Sequence, residues 1–293
     1  MKTKICITLL IVIILFGTIV SCNTIRASTR AQAGLTSKEE YYLGRAAAAN
    51  ILSIYDTWDG NPALTDYLNF ICAAITINSS NPNDFYNVAI LDTSEINAFA
   101  TLGGHIFVTR GFIAAARSED ALAGIIAHEI AHIQLKHSTA VINRSRWVDV
   151  SAAAMRDVRG LTSIAGIFNS NARTAAQIMY ASTPALNALT ANFGYSIQDV
   201  TLALTNNGFT REQEFEADRT AMSFLAAAGY NPQGLIDILR ELNTAQVSGI
   251  GLGKTHPAPT DRIENAQNML GYFPGNYNSA YRQERFLEAT RIR

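Results

Sequence analysis

The sequence predicts an α+β fold that is mainly helical, with a small β-sheet packed beside one apolar helix. Apolar residues recur at helical spacing in several long segments, while two short runs near residues 86–109 have strand character. The chain is 48% apolar and 16% charged, so it can bury a sizeable core. The sequence shows no internal repeat, and we therefore expect one folded domain over residues 38–293.

The first 21 residues have the pattern of a secretory signal peptide, with Lys2 and Lys4 followed by an apolar run. The sequence Ile-Val-Ser-Cys at 19–22 resembles the bacterial lipobox, which implies cleavage before Cys22 and lipidation of that residue. An uncleaved membrane anchor is the alternative, although the apolar run is short for a membrane span.

A lipidated Cys22 would place the protein in the bacterial cell envelope, anchored in a membrane on the periplasmic side. Asn23 is not the Asp that retains lipoproteins in the inner membrane of enteric bacteria, which favours the outer membrane. Residues 22–37 are small and polar and are expected to form a flexible tether. Lys and Arg total 23 against 24 Asp and Glu, so the charge balance indicates no nucleic-acid partner.

After removal of the leader and lipidation of Cys22, Cys72 is the one cysteine left, and it cannot form an internal disulfide. It lies in the apolar segment LNFICAAITI, without the charged neighbours that activate a thiol. We therefore interpret Cys72 as a small buried core residue rather than a nucleophile.

The first half of the domain is predicted as two helices followed by two strands. Helical spacing runs from 38 to about 78 and is interrupted by Asp-Gly-Asn-Pro at 59–62. Residues 86–91 and 105–109 read as strands, with a turn at 101–104 between them.

The second half is predicted to be helical. Ser118 is a candidate N-cap, and Glu119 and Asp120 place negative charge in the first turn of the next helix. Residues 145–210 are rich in Ala, Ser, Thr and Asn and form a possible helical lid. Further helices are predicted at 211–228, at 233–243 and from 256 to 269, where the last helical region begins.

The segment AGIIAHEIAHIQLKH holds three of the five histidines. His128 and His132 are four residues apart on a predicted helix, so both imidazoles project from one face at a spacing that suits a tetrahedral metal. Glu129 can reach a water near that metal without being a ligand. A helix with solvent-facing histidines is the alternative, but the neighbouring residues are apolar, and buried polar groups need partners.

A third ligand is expected in REQEFEADRTA. Glu214 and Asp218 are four residues apart and share a helix side, which suits Glu214 as a ligand and Asp218 as a carboxylate that holds a ligand histidine. A solvated acidic face is the alternative for this segment. Two histidines and one carboxylate match the ligand set of catalytic zinc sites, so one Zn²⁺ per chain is the predicted cofactor.

These motifs resemble the M48 family of zinc metalloproteases. HEIAH is followed by EFEAD, which matches the family's E-x-x-x-D pattern, and two further segments, INAFATLGGHIFVTRGFI and THPAPTDRI, also resemble it. The match covers roughly residues 38–270. Thr101 stands where a proline is common, and the partner-binding repeat module of some relatives is expected to be missing.

The resemblance implies a zincin-like domain in which His128, His132 and Glu214 bind zinc and Glu129 is the general base. It also implies that three further residues contribute to catalysis, namely Asp218, His256 and Arg262.

Each of these three residues has its own implied role. Asp218 would orient a ligand or donate a proton. His256 and Arg262 would approach the metal and stabilise the oxyanion, and His256 could occupy the open metal position in resting forms. Without the resemblance, a helix-start turn and a surface arginine would explain His256 and Arg262 equally well.

Two histidines remain. His137 is five residues after His132, off the ligand face, and is interpreted as a helix-end residue or a contact of a ligand. His105 lies in a predicted strand and is interpreted as structural.

The predicted function is zinc-dependent hydrolysis of peptide bonds in unfolded or misassembled cell-envelope proteins. Polypeptide substrates would bind as extended strands along residues 105–109, pairing main chain to main chain. A chaperone-like envelope lipoprotein with a gated, weakly active zinc site is one alternative. A structural lipoprotein with a fortuitous motif is another.

Overall fold

The structure is a computed structural model that describes residues 35–142, 204, 208–244, 256, 259–278 and 280–291. The predicted signal peptide, the lipidation site Cys22 and nearly all of the tether lie outside the described residues. So does the possible lid at 145–210, apart from residues 204 and 208–210.

The fold is α+β and mainly helical, as the sequence predicts. In chain order the elements are α1 Ser37–Leu52, α2 Pro62–Ile77, β1 Asn87–Leu91, β2 Ala98–Ala100, β3 His105–Thr109, α3 Arg110–Ala115, α4 Glu119–Gln134, α5 Arg211–Ala227, α6 Gln233–Thr244, α7 Pro259–Met269, a 3₁₀ turn Leu270–Tyr272 and α8 Ala280–Ala289. Within the described ranges, every helix falls short of the length and hydropathy needed to cross a bilayer.

Local signals explain where the first two helices begin. Thr36 caps α1 in a capping box, in which its side chain and that of Glu39 each accept a backbone N–H of the other residue. Pro62 stands in the first turn of α2, where its missing N–H costs nothing. The predicted break at 59–62 is therefore confirmed. Cys72 lies fully buried on the inner face of α2, as predicted.

The sheet has the strand order β1-β3-β2, with β1 parallel and β2 antiparallel to β3. β1 and β3 match the two predicted strands, whereas β2 was not predicted. Gly103 and Gly104 have φ of 79° and 94° and form the turn that brings β2 back onto β3. Both edges of β3 are therefore paired, and the expectation that substrate pairs with residues 105–109 is wrong.

Helix α4 lies at the centre of the domain and packs against α2, β2, α5 and α6. Gly124 and Gly234 permit the backbones of α4 and α6 to touch. A Cβ at Gly124 would lie 2.8 Å from the Cα of Leu235, and a Cβ at Gly234 would overlap the carbonyl oxygen of Asp120. Close helix packing thus fixes the position of the helix that carries His128 and His132.

The N-terminus of α4 is anchored by the C-terminal helix α8. Ser118 caps α4, as predicted, by accepting the backbone N–H of Ala121. Glu119 and Asp120 are buried, and each pairs with an arginine of α8. Arg285 Nη2 lies 2.6 Å from Glu119 Oε1, and Arg282 Nε lies 2.9 Å from Asp120 Oδ1.

Candidate metal centre

Helix α4 brings His128 and His132 together one turn apart. Their Nε2 atoms lie 2.9 Å from each other, and both side chains are almost fully buried. The lone pairs of two neutral imidazoles cannot bond to each other, so this convergence suits two ligands of one cation.

Helix α5 supplies a carboxylate to the same point. The helix begins with a capping box between Thr210 and Gln213, which sets the next residue, Glu214, in the first turn. Glu214 Oε1 lies 3.5 Å from Nε2 of His132, and its Oε2 lies 3.6 Å from Nε2 of His128. The structure therefore brings together the three sequence-predicted ligands.

His256 completes the group. Its Nδ1 lies 2.9 Å from Glu214 Oε1 and 3.4 Å from Nε2 of His128. One donor atom from each of the four side chains lies within 4.8 Å of the other three, and all four side chains are buried. Ligands about 2.0–2.2 Å from a tetrahedral zinc are about 3.3–3.6 Å apart. The separations of 3.4, 3.5 and 3.6 Å match that spacing and the two of 2.9 Å are shorter, so the four donor atoms lie at and slightly inside the spacing of a four-coordinate ion.

Orphaned polar atoms support the same conclusion. Glu129 Oε1 and His256 Nε2 are buried without a hydrogen-bond partner among the described residues. Burying such atoms unpaired is costly, and polar atoms of this kind concentrate at sites that bind a ligand or an ion. The residues present thus fit a metal ion with a reacting group beside it.

Asp218 and Arg262 form a layer behind the ligands. Asp218 Oδ1 lies 3.0 Å from Nδ1 of His128, the ring nitrogen opposite the metal position. Arg262 donates from Nε and Nη2 to the two oxygens of Asp218, at 2.8 and 2.6 Å. Its Nη1 lies 2.8 Å from Glu214 Oε2. This contact is an ion pair, but its angles do not make it a hydrogen bond. Arg262 therefore holds a candidate ligand and the carboxylate that orients another.

Burial and neighbouring charges set the ionisation of the site. Burial raises the pKa of Glu129, although positive charge on His256 opposes the shift. Burial lowers the pKa of His132 well below its ordinary value, which keeps the ring neutral and able to bind a metal. Burial alone would raise the pKa of Glu214, but His256 and Arg262 hold it well below its usual range, so the carboxylate stays anionic.

Two further side chains surround His132. The ring of Phe209, a residue not predicted to belong to the site, stacks on His132 with centroids 3.9 Å apart. Its place just before the N-cap Thr210 gave no signal of this contact. His137 lies with its Nδ1 2.9 Å from Nδ1 of His132, which agrees with its interpretation as a contact of a ligand.

His105 lies away from this group. Its Nδ1 is 3.0 Å from Oδ1 of Asn87 on the neighbouring strand, as its structural interpretation predicts.

The sequence profile described as "Peptidase family M48" matches residues 64–270, which is more than half of the chain. The chain belongs to peptidase family M48. Membership of a metallopeptidase family implies a metal cofactor, and the cluster of His128, His132, Glu214 and His256 is the place where this M48 chain could bind it.

Relatives of this M48 chain include the beta-barrel assembly-enhancing proteases of Escherichia coli K12 and Yersinia pestis. The first is 28% identical over 214 residues, which cover 71% of this chain and 39% of the relative. The second is 27% identical over 252 residues, covering 82% and 46%. The mitochondrial metalloendopeptidase OMA1 of Schizosaccharomyces pombe is 26% identical over 180 residues, covering 59% and 43%. The chain thus spans less than half the length of these relatives.

Proposed function

We propose that this chain is a zinc-dependent endopeptidase that hydrolyses unfolded or misassembled cell-envelope proteins. The observation that carries the proposal is the convergence of two imidazoles and one carboxylate, from helices α4 and α5, beside the buried carboxylate of Glu129. The names of the bacterial relatives, which refer to β-barrel assembly, support a substrate among envelope proteins.

The donor set favours zinc over harder cations. His128 and His132 supply nitrogen, and Glu214 supplies oxygen, which is the combination found in catalytic zinc sites with one further position for water or substrate. Calcium and magnesium prefer ligand sets made wholly of oxygen. One Zn²⁺ per chain is therefore the proposed cofactor.

The zinc ion, when bound, would supply a Lewis acid that makes water a better nucleophile and polarises the scissile carbonyl. Glu129 would take the proton of the attacking water and pass it to the leaving amine. The raised pKa of Glu129 suits this exchange, because a carboxylate that is too weak a base would not accept the proton.

The contacts of His256 and Arg262 support different proposed roles for the two residues. The guanidinium of Arg262 contacts Asp218 and Glu214, and its Nη2 also lies 3.3–3.4 Å from the ring nitrogens of His128, so Arg262 would act by holding the ligands in place. His256 Nε2 lacks a hydrogen-bond partner among the described residues. We assign this nitrogen the role of donor to the oxyanion once the ring has left the position in which its Nδ1 faces Glu214 and His128.

Substrate would pair with β2, the edge strand, in place of β3. Asn97 accepts the N–H of Thr109, and Thr101 donates to the carbonyl of His105, so these residues of the β2 segment bond inward to β3. Alternate residues of an antiparallel strand direct their N–H and C=O groups to opposite sides. Ala98 and Ala100 therefore direct theirs to the outer edge. The residues of β2 are buried, so an extended polypeptide would add there as a strand only after this edge is uncovered.

Gating by His256 supports a second candidate, a chaperone-like lipoprotein with a weakly active site. His256 Nδ1 would be a fourth ligand of a bound ion, and the site's side chains are at most 2% exposed. A substrate would reach the metal only after His256 moves away. If the closed form dominates in the cell, binding of unfolded chains rather than hydrolysis would be the main activity.

The proposed location rests on the leader sequence alone. A signal peptide over residues 1–21, a lipidated Cys22 and a tether to residue 37 would hold the domain at the periplasmic side of a bacterial membrane, with the outer membrane favoured by Asn23. These residues lie outside the described part of the chain, except for the last three of the tether.

The function is tested by casein-type proteolysis with the purified full chain, wild type beside Glu129→Gln. The variant should keep its bound metal and lose hydrolysis by about 100-fold or more, because it lacks the general base. Glu212→Gln is the matched control, since it removes the same charge from an exposed position on α5. Hydrolysis by Glu129→Gln at the wild-type rate would refute the mechanism. Equal suppression of aggregation with and without chelator, without hydrolysis, would favour the second candidate.

A further inference from the structure

We propose that His137 and Glu216 form a positioning relay that fixes the orientation and proton of the zinc ligand His132. The inference rests on the proposed zinc site and adds two residues to it that the family pattern did not supply. A backbone turn, a chain of ring contacts and a gradient of burial support it.

The backbone turn brings His137 to a place that a continuous helix would not give it. Five residues of helix rotate a side chain by about 140° from His132, away from the ligand face. Helix α4 instead ends at Gln134, and Lys136 adopts a left-handed conformation with φ of 58°. The chain becomes helical again at His137, whose ring now touches His132. A non-glycine residue in the left-handed conformation is strained, and such strained residues cluster at functional sites, where the conformation serves the function.

Contacts with the N-terminal helix hold this turn. Lys136 Nζ lies 3.1 Å from Glu40 Oε2, and Thr139 donates its hydroxyl to Glu40 Oε1 at 2.9 Å. Glu40 of α1 thus bonds to both sides of His137, and the turn is anchored independently of any metal.

The ring contacts assign the protons. Nε2 of His132 faces His128 and Glu214, so it is the atom that would bind the metal, and Nδ1 must carry the ring's N–H. That N–H can donate to Nδ1 of His137, 2.9 Å away. The proton of His137 then lies on Nε2, which donates to Glu216 Oε2 through a long contact of 3.4 Å.

Burial changes along the relay. His132 and His137 are 1% and 4% exposed, whereas the Glu216 side chain is 55% exposed. Phe209 stacks on the face of the His132 ring and restricts its tilt. The relay therefore links a buried metal ligand to a solvated carboxylate and leaves the ring with one orientation. Groups that hold a ligand in this way contribute about 10- to 100-fold to metal affinity.

The test measures zinc affinity of the full chain by competition with a chromophoric chelator. His137→Ala should bind zinc about 10- to 100-fold more weakly than the wild type, because His132 loses its acceptor. His137→Asn should recover most of the affinity, since its amide oxygen can take the place of Nδ1. Glu216→Gln should weaken binding in the wild-type background and have no effect in His137→Asn, where its partner nitrogen is gone. Glu212→Gln should bind zinc as the wild type does.

Other outcomes would overturn the relay. Zinc affinity of His137→Ala within twofold of the wild type would do so, and so would equal losses in His137→Ala and His137→Asn. A lower unfolding midpoint of metal-free His137→Ala with unchanged zinc affinity would show that His137 acts only in folding. Failure of the proposed function is distinguishable: wild type that binds zinc but does not hydrolyse protein would refute the peptidase and leave the relay standing.

Discussion

Nε2 of His256 lies 3.8 Å from Oε1 of Glu129, and both atoms are buried without a hydrogen-bond partner among the described residues. The other nitrogen of His256 faces the proposed zinc ligands. One imidazole thus lies between the proposed general base and the proposed metal position. Moving this ring would open both the coordination site and the space beside Glu129.

Removal of the His256 ring should expose the metal. In His256→Ala we expect a chelator to extract zinc at least about tenfold faster than from the wild type, because a fourth donor is lost and the position becomes open. Stopped-flow measurement with a chromophoric chelator checks this rate. His105→Ala is the control, since that ring bonds to Asn87 outside the site. Extraction from His256→Ala as slow as from the wild type would show that His256 does not close the site.

Main-chain pairing with β2 is tested by Ala100→Pro. Proline removes the N–H that we assign to the outer edge while leaving the ladder to β3 intact. We expect kcat/KM for an unfolded substrate to fall by roughly 2- to 12-fold, the equivalent of one hydrogen bond, with zinc content unchanged. Ala100→Ser keeps the N–H and should behave as the wild type. Equal kcat/KM values for the proline and serine variants would show that substrate does not pair with β2.

Close packing of α4 and α6 predicts a large loss of stability in Gly234→Ala. The added methyl group would overlap the backbone carbonyl of Asp120, which cannot rotate away as a side chain would. We expect the free energy of unfolding to fall by about 1–3 kcal/mol, measured by urea denaturation. Gly271→Ala, whose added methyl has nothing within 4 Å, should be nearly neutral. Similar stabilities of the two variants would contradict this packing.

Burial of Cys72 predicts an unreactive thiol. Burial raises the pKa of Cys72 to about 12, partly offset by its contact with Thr76, so almost no thiolate exists at pH 8. The thiol ionises near pH 9 in the unfolded chain and near pH 12 in the folded protein. The stability that this difference contributes is therefore fully present below pH 9 and is lost as the pH rises toward 12. Iodoacetamide labelling followed by peptide mass spectrometry should find Cys72 unmodified at pH 8 and modified in urea. Rapid modification of the folded protein would contradict the burial.

Local signals in the sequence account for the helices. The break before Pro62 and the cap at Ser118 each act within a few residues, and both lie where the sequence predicts them. The histidines of α4 were predictable for the same reason, since four-residue spacing places them on one face.

Features that depend on distant partners were not predictable in this way. β2 has three residues, too few to show strand periodicity, and it exists because it pairs with β3. Glu119 and Asp120 looked like charges that favour a helix start, yet they are buried against Arg285 and Arg282, more than 160 residues away in sequence.

His137 shows a third limit. Its helix spacing predicts that it points away from the ligands, and the left-handed turn at Lys136 brings it back. A lysine gives no local signal for such a turn, since glycine and asparagine are the residues that usually adopt it. The contacts of Lys136 and Thr139 with Glu40 stabilise the turn, and Glu40 lies almost 100 residues earlier in the chain.

Zinc content of the purified full chain decides whether the four side chains form a metal site, with wild type, Glu214→Gln and Glu212→Gln compared by mass spectrometry of the metal. We expect about one zinc per chain in the wild type and in Glu212→Gln, and loss of most of it in Glu214→Gln, because α5 would no longer supply the third ligand. Circular dichroism should show that the three proteins share one fold. A wild type without zinc, or a Glu214→Gln protein that retains it fully, would show that α4 and α5 do not form a zinc site.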